Sequence, residues 1–246
     1  MENKVVLVTG SSSGIGRSIA YSLAKRGCNI VIHYNSNLKE AKKLESEIKK
    51  YNVETLIVKC DLENENEIYS MVDTIIDKFK KIDYLVNNAA VAIDTTMDDK
   101  SKENFIKTLN INLVGTFLLS KKVADIMYKN KFGKIINISS TNGIDTYYTE
   151  SLDYDASKAA LISLTHNLSK YYAPYVIVNA VCPGWVNTPM NKNLDKEFIE
   201  NENKKIYLNR FAEPSEIASL VEFLLIDASY INNSIIRIDG GSDHAW

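Results

Sequence analysis

Two stretches of this sequence place a tyrosine four residues ahead of a lysine: YDASK at 154–158 and YSLAK at 21–25. On a helix, each pair would share one face, a turn apart. A free phenol titrates near 10, too high for acid–base work at neutral pH. An ammonium group beside it favours the phenolate, and a lowering of about three units takes roughly 4 kcal/mol, within reach of a partly desolvated cation. Such a pair could move a proton to or from a carbonyl or alcohol oxygen. Spacing alone selects neither. With 14 tyrosines and 29 basic residues, nearly all lysine, in 246 positions, chance supplies about 1.4 such pairs.

What decides is where the backbone carries each pair. Short β-branched runs at 5–8, 30–32, 56–58, 84–86, 135–138, 176–181 and 235–238 alternate with helical periodicity at 14–26, 38–51, 65–80, 102–129, 154–172 and 214–225. Most runs are continuously apolar, as strands buried on both faces are. The alternation predicts an α/β fold: one Rossmann-like domain over 1–246, a doubly wound parallel sheet of about seven strands with helices on both faces. Residues at about 185–212 break the rhythm with a polar, weakly periodic excursion after a buried strand, the pattern of a substrate lid.

Composition narrows the functions. The chain is 45% hydrophobic and 24% charged with a net charge of −2, and its charges are interspersed, which argues against a dedicated nucleic-acid or membrane-surface protein. Cys28, Cys60 and Cys182 are odd in number, form no CxxC pair and sit in or beside apolar runs, so they read as buried reduced thiols. The apolar run in MENKVVLVTG is far too short for a signal peptide or a membrane span, and a cytoplasmic protein is expected. No His, Cys and carboxylate cluster suggests a metal.

The segment VVLVTGSSSGIG leads from the first strand into the first helix with glycines at Gly10, Gly14 and Gly16. Glycine belongs where a turn needs positive φ, where a pyrophosphate approaches the backbone, and where helix packs hard on strand. The N–H groups opening the helix then face phosphate charge. The spacing is GxxxGxG, not the GxGxxG of the common dinucleotide fingerprint. TGSSSGIG resembles the cofactor loop of the short-chain dehydrogenase/reductase family, and the likeness continues motif by motif over essentially the whole chain.

That resemblance implies a site. Gly10, Ser12, Ser13, Gly14, Ile15 and Gly16 would hold the pyrophosphate, and Tyr34, Asn35 and Ser36 would end the second strand beside the adenosine ribose. Asp61, followed by Leu62, would accept from the adenine amino group, although taken alone it reads as a helix cap. Asn88, Ala89 and Ala90 lie in NNAA, which resembles the family's NNAG with alanine in the last place. Asn112, in NINLVGTF, matches the residue that binds a proton-relaying water, and that context favours it over Asn110. Ser140 ends GKIINISS as the catalytic hydroxyl, and the 14 residues from it to Tyr154 are slightly more than many members have. Tyr154 is then the acid–base catalyst, and Lys158 binds the ribose and tunes it. YSLAK, on the helix after the glycine loop, is a coincidence, and Tyr21 is expected to pack against or near the sheet. Pro183 and Gly184 turn the chain, and Val186 and Thr188 would hold the nicotinamide carboxamide.

The implied activity is NAD(P)(H)-dependent reduction of a carbonyl, with 3-oxoacyl-(acyl-carrier-protein) reductases the nearest group. A dehydrogenase of a sugar alcohol, steroid or other small secondary alcohol is the alternative, and a non-catalytic cofactor-binding regulatory protein a remote one. Acyl carrier protein is a possible partner, yet YYAPY at 171–175 offers no arginine and Lys131 alone could supply a basic contact. No carboxylate follows the second strand before Glu40, so NADP(H) is preferred over NAD(H), with Arg17 and Lys39 the nearest cations. The family's habit predicts a homotetramer built on the helices at 102–129 and 154–172.

Overall fold

The structure is a computed structural model that describes residues 3–191 and 194–241. Seven parallel strands form one sheet in the order β3-β2-β1-β4-β5-β6-β7. They are β1 (Val5–Val8), β2 (Asn29–Tyr34), β3 (Thr55–Lys59), β4 (Tyr84–Asn87), β5 (Gly133–Ile138), β6 (Val176–Pro183) and β7 (Ile235–Ile238). Every residue of β1, β4 and β5 is buried, which is why those segments are mostly apolar, with Asn87, Lys134 and Asn137 the buried polar exceptions.

Alternation along each strand sends neighbours to opposite faces. Val6 and Val8 join one core with α1 (Gly14–Lys25), α2 (Leu38–Ile48) and α8 (Pro214–Ile226). Val5 and Leu7 join the other with α3 (Glu65–Phe79), α5 (Thr116–Lys129) and α6 (Leu152–Tyr172). The chain reverses its winding between β1 and β4, and the crevice at the carboxyl ends of those strands is where such sheets bind ligands.

Three details refine the expected elements. The single helix expected at 102–129 is α4 (Lys102–Leu109) and α5 joined by a π-helical segment, Asn110–Gly115. Side-chain periodicity barely registers one inserted residue, so the sequence pattern hides the break. Tyr21 packs against the core beneath the sheet, as expected, and its hydroxyl is bonded to Tyr51 and Lys50 at 2.8 Å each, so the YSLAK pair is no unit. The polar excursion folds as a short turn, Pro189–Asn191, and α7 (Lys196–Lys205), while residues 192 and 193 of the expected lid lie outside the described residues. Its two ends meet at a parallel bridge between Val186 and Ala212. Among the described residues no helix is long and apolar enough to cross a membrane.

Candidate active site

A cavity of about 890 Å³ opens at the carboxyl ends of the strands. Every candidate residue named from the sequence lines it except Gly16 and Asn112, which stand behind its wall.

Its cofactor end is built on β1. Gly10 and Gly14 adopt φ of +63° and +54°, which only glycine takes without strain. A methyl on Gly16 would collide with the Asn88 amide and the Gly10 carbonyl. Asn88 supports the loop from below, its Nδ2 donating to the carbonyl of Thr9 at 2.9 Å, while Thr9 Oγ1 accepts from the amides of Asn88 and Ala89. The helices α2, α3, α4 and α7 are each capped by a side chain, whereas Ser13, at the start of α1, caps nothing. The first turn of α1 also carries no acid. Unsatisfied N–H groups, glycine clearance and the absence of a carboxylate together suit a pyrophosphate.

One residue here escaped the sequence reading. His33 is 2% exposed on β2 and bridges two backbones. The Gly10 amide donates to its Nδ1 at 2.9 Å, so the ring proton sits on Nε2 and donates to the Cys60 carbonyl at 3.0 Å. Burial drives its pKa down to about 4, against the Cys60 hydrogen bond and the nearby Asp61. The imidazole is neutral and ties the glycine loop to the end of β3. A histidine inside an apolar strand gives no spacing signal.

Asn64 caps α3, and Asp61 stands in the turn before it. Its Oδ1 accepts from the Glu63 amide at 3.0 Å, and its side of the turn lines the cavity. Arg17 does not remain free for a ribose phosphate, because Glu47 holds its guanidinium at 2.7 Å. Thr188 stands directly against Gly14, its side chain 3.5 Å from where a Cβ there would lie, and Gly184 packs so tightly on Asp239 that a side chain there would clash.

At the other end, β5 and α6 bring Ser140, Tyr154 and Lys158 together. Ser139 donates to the Lys158 carbonyl at 2.8 Å and pins α6 to the strand. Asp155, buried on α6, accepts from Asn142, Ser151 and the Tyr148 amide, and so fastens the loop at 141–151. Asp153, beside Tyr154, is fully buried and paired with Lys100 at 2.9 Å and Thr108 at 2.6 Å. Burial resists its ionisation, but those two partners hold it below the usual carboxylate range.

The tyrosine corrects one expectation. Burial pushes the Tyr154 phenol up to about 12, although a hydrogen bond with Ser140 works the other way. Lys158 lies 5.3 Å from the ring centroid but donates to the Ile138 carbonyl at 2.8 Å, and burial lowers its own pKa to about 8. Desolvation, with Asp155 and Asp94 nearby, outweighs the Ser140 contribution and favours the protonated phenol.

Asn112, in the π segment, has its side chain fully engaged. Oδ1 accepts from the Val91 amide at 2.8 Å, and Nδ2 donates to the Val91 carbonyl at 2.9 Å and to Ser157 at 3.1 Å. It clamps the exit of β4 to α6 and does not touch Lys158.

The family described as enoyl-(acyl carrier protein) reductase matches residues 10–243. A 3-oxoacyl-[acyl-carrier-protein] reductase of Synechocystis sp. is 37% identical over 241 residues, 97% of this chain and 96% of the relative. The chain belongs to the short-chain dehydrogenase/reductase family. Its fold also matches two solved members of like architecture. Levodione reductase gives a TM-score of 0.90 at 31% identity, covering 98% of this chain and 97% of the other. A short-chain dehydrogenase of Burkholderia cenocepacia, solved in complex with NADP, gives 0.91 at 28% identity and covers 98% of both chains. This short-chain dehydrogenase/reductase is an oxidoreductase.

Proposed function

We propose that this chain is an NADP(H)-dependent carbonyl reductase acting on 3-oxoacyl thioesters. The observation that carries the reading is that Ser140, Tyr154 and Lys158 line one cavity whose far end is the uncapped start of α1, with the Lys158 ammonium 5.3 Å from the Tyr154 ring centre. The thioester substrate comes from the Synechocystis relative and the NADP from the B. cenocepacia structure.

The glycine loop, Asn88 to Ala90 and Thr188 would hold the dinucleotide, and its reduced nicotinamide supplies hydride when bound. Ser140 orients the carbonyl oxygen through its hydroxyl. Tyr154, protonated by virtue of its burial, donates the proton that the developing alkoxide requires. Lys158, partly neutral near its pKa of about 8, can pass a proton back to the phenolate. Since the Asn112 side chain is engaged, a relay water would have to use the backbone of the π segment, where the regular hydrogen-bond ladder is interrupted. Tyr34, Asn35 and Ser36 line the adenosine end without a carboxylate, so a 2′-phosphate meets no repulsion there and would be held by neutral donors.

The excursion at about 185–212 acts as a lid over the substrate end. Exposed Ile106, Val114 and Phe117, on the α4–α5 side, support a homotetramer built on those helices, which light scattering at micromolar concentration would test. A second reading, reduction of a compact polar ketone, is favoured by a wall of Tyr147, Tyr148, Glu150 and Trp185, aromatic and acidic instead of aliphatic. Steady-state oxidation of NADPH with acetoacetyl thioesters, set against sugars and simple ketones, separates the two. A preference for the small ketones would displace the thioester reading, and no turnover with any carbonyl would sink both.

A further inference from the structure

Helix α7 docks in an unusual way. Its one buried residue is charged: Glu202, 6% exposed. Helices normally dock through an apolar stripe, and an unpaired buried carboxylate would be costly. Glu202 is paired on every side. Its Oε2 accepts from the Tyr148 hydroxyl at 2.7 Å and from Trp185 Nε1 at 3.1 Å, while Oε1 accepts from Lys205 at 2.6 Å. The Trp185 indole is stacked on Phe211 at 5.3 Å and lies edge-on to Phe198 of α7 at 5.5 Å and to Tyr148 at 5.7 Å.

Three separate segments thus converge on one carboxylate: the loop before α6, the turn after β6, and α7. Tyr148, Trp185, Phe198 and Glu202 all line the substrate end of the cavity. Because the carboxylate's bonds are already filled by the protein, it is not placed to receive a substrate group. When the helix lifts, water can replace each of these bonds, and the apolar surface newly exposed on α7 is chiefly the Phe198 contact with Trp185.

We infer that Glu202, gripped by Tyr148 and Trp185, is the latch that holds α7 closed over the substrate, and is therefore a positioning residue for the reaction. The inference rests on the lid reading proposed above. The Tyr148 hydroxyl and the Trp185 indole bond to each other and to Glu202, and not to Ser140, Tyr154 or Lys158. Breaking the latch should leave the chemistry of Tyr154 intact and weaken the hold on substrate.

The test uses the full chain carrying Trp246→Phe, which leaves Trp185 as its only tryptophan. Glu202→Gln and Tyr148→Phe are compared with this parent by acrylamide quenching of Trp185 without substrate, and by steady-state kinetics. Loss of a charge-assisted hydrogen bond predicts more than twofold stronger quenching and a KM for the carbonyl raised about tenfold, with kcat within about twofold. Unchanged quenching and KM in Glu202→Gln would overturn the latch, as would a fall in kcat at constant KM. Should Glu202→Gln fail to fold, Tyr148→Phe decides by the same criteria. Quenching needs no turnover, so inactivity of the parent toward every carbonyl would count against the function while leaving the latch to be judged on quenching.

Discussion

His33 makes the stability of this protein depend on pH in a direction that can be worked out beforehand. Its folded pKa is about 4 against an ordinary 6.5, chiefly because the ring is buried. Protonating Nδ1 would also set it against the Gly10 amide that donates to it. Because the folded pKa is depressed, the unfolded chain takes up the proton first. The contribution is complete above about pH 6.5 and is lost as pH falls toward 4. Each unit in that window costs about 1.4 kcal/mol, so acidification from about pH 8 to about pH 5 should remove about 2 kcal/mol through this one residue, and about 3 kcal/mol by pH 4. Other groups titrate over the same range, so the comparison must be differential. His33→Asn keeps an acceptor for Gly10 and removes the titration, at a cost of roughly 1–3 kcal/mol at pH 8 from the unpaired Cys60 carbonyl. Urea unfolding of both proteins at the two pH values and one concentration should show the wild type losing about 2 kcal/mol more than the variant. Parallel losses would refute the reasoning, as would an imidazole resonance of His33 that titrates near 6.5 in the native protein.

Further outcomes follow from the site. Tyr154→Phe should cut kcat by roughly 10²–10⁴ with cofactor affinity retained, and turnover near wild type would exclude the phenol as the proton donor. Tyr34→Asp should move the ratio of kcat/KM toward NADH over NADPH; a wild-type preference for NADH would mean that a missing acid at the end of β2 does not set the choice. Lys100→Met strands the charge of Asp153, which is 0% exposed, and should destabilise the fold by about 3–5 kcal/mol in urea. A loss under 1 kcal/mol would show that the buried pair does not hold the first turn of α6.

The strands and most helices were legible because burial on both faces writes itself into composition: β1, β4 and β5 are buried residue for residue. The glycine loop was legible for a related reason, since its backbone angles and clearances admit little else at Gly10, Gly14 and Gly16. Contacts between distant segments were not. Tyr148, Trp185 and Glu202 meet across 54 positions of sequence, and none has a neighbour that announces the others. The pKa of Tyr154 was misjudged because a spacing reports who stands near, while solvent exclusion is a property of the assembled cavity. Arg17 likewise looked available until Glu47 was brought to it by the packing of α1 on α2.

The π segment between α4 and α5 has a mechanical meaning beyond its placement of Asn112. At its end Gly115 presses so closely on the Leu62 carbonyl that no side chain fits between them. Leu62 lies with Asp61 in the cavity wall near Tyr34, and Asn112 holds Val91 and Ser157 near Tyr154. The two ends of the site are thereby geared to one another through six residues, Asn110–Gly115. Deleting one of them would let the segment relax to an ordinary α-helix while α4 and α5 kept nearly the same faces, because the wider π turn absorbs the extra residue. The bulge that lets Asn112 reach Val91 and Ser157 while Gly115 stays on Leu62 would be gone, and one of those two contacts would have to give way.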